Sequence, residues 1–133
     1  MCKIHHNVLE VAIEECKKSN MTQKMSAVIF KDKNILSLGH NRLVSPSPNP
    51  QLQYLGVPYP YSIHAEVDAI LNYEGHRRNL RSASIFIFRQ RKIKGKITVG
   101  LAKPCKCCKK VIRSAEIQKV FWTENDGDIG TFI

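Results

Sequence analysis

Two short stretches, His64-Ala65-Glu66 and Pro104-Cys105-Lys106-Cys107-Cys108, lie on either side of residues 67–103, and they dictate what this chain must build. One imidazole and two thiols at this spacing make three ligands of the kind zinc takes, and one carboxylate, Glu66, is left over. Any fold that serves them has to carry positions 64 and 105 to a single point. Structural zinc sites close the tetrahedron with four side chains, whereas catalytic sites hold three and keep a place for water. The pattern therefore points to hydrolysis rather than to scaffolding.

The local geometry of each half supports this. Cys105 and Cys108 are three apart at the start of a predicted helix, so their sulfurs share a face, and a helix N-terminus favours the thiolate forms that bind metal. A Cys105/Cys107 pair would splay around the helix axis, which leaves Cys107 to packing or as a free thiol. His64 opens a second helix and Glu66 falls in its first turn, where a carboxylate suits the dipole and can reach a water on the metal. Zinc lowers the pKa of such a water to about 7, and a neighbouring carboxylate can take its proton and pass it to a leaving nitrogen.

With 133 residues, 43% hydrophobic and 24% charged, the chain suits one domain, 1–133, with a core of its own. No apolar run approaches the ~18 residues of a membrane span, and no signal-peptide core follows Met1, so the protein reads as soluble, intracellular and cytoplasmic. Three of the five cysteines crowd into positions 105–108, which in a reducing compartment means a metal site rather than a disulfide framework. The formal charge of +10 is uneven. Residues 75–115 hold thirteen of the 21 Lys and Arg and no Asp or Glu, leaving eight basic residues elsewhere against 11 acidic ones.

Helical spacing of apolar residues predicts helices over Ile4–Lys18, Ile63–Tyr73 and Cys105–Ala115. Met25–Phe30 and Ile35–Gly39 flank the polar turn Lys31-Asp32-Lys33-Asn34 and predict an antiparallel hairpin. Ser84–Phe88 lacks polar alternation after its first residue, as a strand buried on both faces does, and Lys119–Thr123 is a further strand. Between them, Arg89–Lys96 is a basic loop or protruding ribbon. Arg42–Ser62, with five of the six prolines and with Tyr54, Tyr59 and Tyr61, predicts a loop that covers or lines the site. After Thr123 only ten residues remain, too few for a parallel crossover, so the last strand, near Ile129–Ile133, should be antiparallel. The expected fold is α/β, with one mixed five-stranded sheet and helices against it.

These motifs resemble those of the cytidine and deoxycytidylate deaminase superfamily. Ile63-His64-Ala65-Glu66-Val67-Asp68-Ala69-Ile70 is similar to its first motif, and Lys103-Pro104-Cys105-Lys106-Cys107-Cys108 to its second. Gly39-His40-Asn41-Arg42 is similar to its Gly-x-Asn segment. The resemblance spans about Ala27 to Trp122 and implies a cytidine deaminase-like three-layer α-β-α fold. It further implies Zn2+ on His64, Cys105 and Cys108, and Glu66 as the catalytic proton shuttle. Substrate contacts follow from it as well: Asn41 holds the sugar and the Ala65 amide holds the base carbonyl, with Tyr61 a further candidate. Pockets of this family are often completed across subunits, which makes a homo-oligomer the expected state. Two departures stand out, the long gap between the half-motifs and lysine at position 103, and the likeness is greatest to short phage- and virus-type members, which places the protein in an infected host cell.

The implied activity is hydrolytic conversion of cytosine to uracil in a cytidine or deoxycytidine nucleoside or nucleotide, dCMP-like. The basic block and the tyrosines keep a second substrate open, cytosine in single-stranded DNA or RNA. A non-enzymatic alternative is a zinc-bearing nucleic-acid-binding module in which His5, His6 or Cys107 supplies a fourth ligand.

Overall fold

β1 (Lys24–Lys31) and β2 (Asn34–His40) form the hairpin that the two apolar runs predict, with Lys31 opposite Asn34 and Asp32 at φ 55 in the turn. The computed structural model describes residues 4–43 and 62–132. β1 also pairs antiparallel with β5 (Ser84–Ile93), β5 runs parallel to β7 (Lys119–Thr123), and β7 pairs antiparallel with β8 (Ile129–Phe132). The five expected strands thus make one continuous path, β2-β1-β5-β7-β8, whose last member returns by a hairpin as its length requires.

A sixth strand lies off this path. β5 continues beyond its apolar run, and β6 (Lys96–Gly100) folds back on its outer half, from Arg89 opposite Gly100 to Ile93 opposite Lys96. The ribbon alternative for the basic segment is therefore the one realised. Its two-residue turn has Lys94 at φ 50 and Gly95 at φ 81, the positive signs that match the twist of the flanking strands. β3 (Arg42–Leu43) and β4 (Ser62–Ile63) make a two-residue antiparallel ladder at the ends of the predicted loop. The intervening 44–61, with Tyr54, Tyr59 and Tyr61, lies outside the described residues.

Strand alternation sorts the core into two clusters. Ala27, Ile29, Ile85 and Ile87 point to one side of the sheet, and Val28, Phe30, Phe86 and Phe88 to the other. α1 (His6–Cys16) covers the second set with Val8, Ala12 and Cys16. α2 (Ala65–Asn72) and α3 (Lys106–Ser114) cover the first with Ala65, Ala69 and Ile112, which completes three layers. Ile85–Phe88 is buried on both faces, the reason its sequence shows no polar alternation. Among the described residues no helix is long and apolar enough to cross a membrane.

α2 lies very close to β2. A Cβ at Gly39 would overlap the backbone nitrogen of Ala69 and the carbonyl oxygen of Ala65, neither of which can move independently of the helix. Gly39→Ala should therefore lift α2 from the sheet at a cost of at least about 3 kcal/mol, beyond ordinary overpacking because the clash is with backbone. Urea unfolding midpoints measure this, and an unchanged midpoint would contradict the close docking.

Candidate metal centre

Two helix starts converge on one face of the sheet. His64 is the N-cap of α2, and Cys105 is the N-cap of α3. Each residue is thus in extended backbone just ahead of its helix, which aims its side chain past the helix end. His64 Nδ1 lies 3.2 Å from Cys108 Sγ and 3.8 Å from Cys105 Sγ, and the three donor atoms are all within 4.8 Å of one another. Zinc bonds of ~2.0–2.1 Å to nitrogen and ~2.3 Å to sulfur, arranged tetrahedrally, put such atoms roughly 3.5 Å apart. The donor set and its dimensions fit zinc, and His64, Cys105 and Cys108 could hold the ion.

Among the described residues no fourth His, Cys, Asp or Glu joins this group. His5 and His6 stand at the start of α1, across the sheet from it, so they do not supply the extra ligand of the non-enzymatic alternative. Cys107 is half-buried beside Ile63, Val67 and Val111 instead, as the splayed geometry requires. The Cys108 amide donates to Cys105 Sγ at 3.4 Å, so one sulfur both faces the site and caps α3.

Glu66 is 3% exposed and sits against this cluster. Burial pushes its carboxyl above the usual range, while its own backbone N–H, His64 and Cys108 pull the other way. Burial likewise pushes the Cys108 thiol up, helped by the Glu66 carboxylate and the Cys105 sulfur. Both shifts favour the protonated, neutral forms, and a bound dication would invert that balance by holding the thiols as thiolates.

The segment His40-Asn41-Arg42 is fixed from three sides. His40 Nδ1 lies 2.7 Å from Glu15 Oε2 of α1, and its amide donates to Asp68 Oδ2 at 3.0 Å. Arg42 donates to Asp68 Oδ1 through Nε at 3.1 Å and Nη2 at 3.0 Å. Asn41, 7% exposed, accepts at Oδ1 from Ser19 Oγ (2.7 Å) and Met25 N–H (2.9 Å), and its Nδ2 donates to Gln23 O (2.6 Å). Among the described residues one amide hydrogen of Asn41 has no acceptor. Asp68 ties the end of β2 to the helix that carries Glu66, a role the sequence reading missed. The available signal was an acid inside the apolar run Val67-Asp68-Ala69-Ile70.

A cavity of about 550 Å³ opens above these residues. His64, Glu66, Cys105 and Asn41 line it together with Ser62, Ile63, Met25, the 21–23 segment, Leu101 and Lys103. Ala65, fully buried, begins α2, where backbone N–H groups have no intrahelical acceptor. Tyr61 falls outside the described residues. The structure thus gathers His64, Cys105, Glu66 and Asn41 around one space, with Cys108 buried against His64, and adds Lys103.

A family model for the cytidine and deoxycytidylate deaminase zinc-binding region matches residues 2–124. No curated protein matches the sequence. Among solved structures, the fold is similar to cytidine deaminase from Burkholderia pseudomallei, at 18% identity over 98% of this chain and 92% of that one, with a TM-score of 0.68. It is also similar to dCMP deaminase from the cyanophage S-TIM5 in apo form (20% identity, 89% and 80% covered, TM-score 0.56). The same cyanophage protein in complex with dCMP and dUMP matches at 17% identity, with 92% and 85% covered and a TM-score of 0.50.

Proposed function

Because this chain belongs to the cytidine and deoxycytidylate deaminase family, we propose that it hydrolyses the exocyclic amine of cytosine, giving uracil, in a cytidine- or deoxycytidine-type nucleoside or nucleotide. Membership supports a zinc deaminase of cytosine-type substrates, and residues 1–133 serve as one catalytic unit in this reading. The observation that carries it is a buried carboxyl, Glu66, beside a group of three metal donors, two of which, His64 and Cys105, line with it a cavity of about 550 Å³.

In this reading His64, Cys105 and Cys108 hold zinc, which when bound supplies an activated water at neutral pH. Glu66 takes a proton from the attacking water and returns it to the base, so that the amine leaves as ammonia while a C–O bond replaces the C–N bond. Its burial keeps bulk water from competing for that proton. The Ala65 amide, at the positive end of α2, donates to the base carbonyl. The spare N–H of Asn41 faces the sugar, and its other polar contacts fix the amide so that this hydrogen points one way.

A second reading, cytosine within a single strand, draws on the ribbon. Arg91, Lys92, Lys94 and Lys96 stand there, with Ile93 and Ile97 exposed at 43% and 68%. Against it, the turn bearing Asp126 and Asp128 adjoins the ribbon, where Arg91 Nη2 reaches Asn125 O at 3.4 Å, and offsets part of the positive field. Uracil formation from cytidine, CMP, dCMP and a cytosine oligonucleotide at low and high salt separates the two. Turnover of mononucleotides supports the first reading. Turnover of the oligonucleotide alone, fading steeply with salt, replaces it with the second.

A further inference from the structure

We propose that Lys103 binds the phosphate of the substrate, so that the cavity takes a phosphorylated cytosine nucleotide in preference to the bare nucleoside; this rests on the reaction read above. The residues that line the cavity are graded from buried to exposed. At its floor Ile63, Glu66 and Asn41 are 1%, 3% and 7% exposed, whereas Thr22, Gln23, Leu101 and Lys103 at the rim are exposed. A nucleotide is graded in the same way, with a flat uncharged base at one end and a dianion at the other. Placing the base against Glu66 leaves the phosphate at the rim.

Lys103 is the one Lys or Arg among the described residues that line the cavity. Among the described residues no carboxylate pairs with it. Its ammonium lies 5.7 Å from the centroid of the Trp122 ring, and that indole is itself fixed by donating from Nε1 to Glu124 Oε1 at 2.9 Å. The ring attracts the cation and so places it, but neutralises none of its charge. Pro104 follows, buried, and holds the backbone between Lys103 and Cys105 at one φ. The result is a positioned cation at the mouth of the site, with donors to spare for phosphate oxygens.

The test is calorimetric titration of CMP and of cytidine into zinc-loaded Glu66→Gln protein, which binds without converting them. With Lys103 present, CMP should bind about 10- to 100-fold tighter than cytidine, the worth of a hydrogen bond to a charged group. Lys103→Ala should narrow that ratio to within about threefold, and Lys103→Arg should restore most of it. Equal affinities with Lys103 present, or an alanine variant that weakens both ligands alike, would overturn the proposal. A companion assay of the active protein compares cytidine, CMP, dCMP and a cytosine oligonucleotide. If the Lys103 dependence appears with the oligonucleotide alone, the phosphate belongs to a strand and the assignment to a free nucleotide is wrong. If nothing is converted while the CMP preference persists, the deaminase reading falls and the phosphate site stands.

Discussion

Glu66→Gln protein is expected to retain one zinc per chain while its turnover falls by a factor of about 10² to 10⁴, the usual worth of a positioned acid–base group. The substitution keeps the size of a side chain that is 3% exposed, so the cavity should hold its shape. An amide cannot accept a proton from water and hand it on. The amide can still meet Cys108, so the ligand cluster should survive. Metal content by atomic absorption, read beside ammonia release from a cytosine nucleotide, gives both halves of the result. Turnover within a few fold of the parent, with zinc retained, would sink the role assigned to Glu66 and revive a binding module without chemistry.

Cys108→Ser should act on the other half of the site. Cys108 is 1% exposed and lies 3.2 Å from His64 Nδ1, so its sulfur is committed to that point in space. A serine hydroxyl does not ionise there and is a poor zinc ligand. Zinc content should drop from about one per chain to nearly none, and activity should fall to background. Chelation of the parent protein should reproduce the loss, and added zinc should reverse it for the parent alone. Far-UV circular dichroism should change little in either case, because the two large core clusters that hold the sheet to its helices include none of the three ligands. Collapse of the whole spectrum on chelation would instead make the ion structural.

The helices and the central strands are legible in the sequence because burial imposes a period on them. Ile85–Phe88 has to be apolar throughout, and Val8, Ala12 and Cys16 have to recur along one stripe. The ribbon is harder to see. Arg89-Gln90-Arg91-Lys92 has no apolar face, and its strand state comes from pairing with β6 and from a turn in which a lysine adopts positive φ. The 3-10 turn Arg77–Ser82 is hidden for a similar reason, since Leu80 alone among its six residues is buried. At the site, the His64-x-Glu66 and Cys105-x-x-Cys108 halves are readable because each is local. What fixes Asn41 and Arg42 is not, since their partners, the side chains of Ser19 and Asp68 and the backbone of Gln23 and Met25, lie 16 to 26 positions away and such pairing leaves no periodic trace. Lys103 adjoins a motif, yet only the folded cavity shows that it stands at the mouth.

α1 carries Glu10, Glu14 and Glu15 and neither lysine nor arginine, while α3, across the sheet, carries Lys106, Lys109, Lys110 and Arg113 and no acid. Lys17 and Lys18, just past α1, pair with Glu14 and Glu15, so its acids are largely offset and the excess positive charge stands on the α3 side. A negatively charged visitor is turned toward the correct side during diffusion, before any contact forms, and its capture rate falls once the ionic atmosphere contracts below about 8 Å.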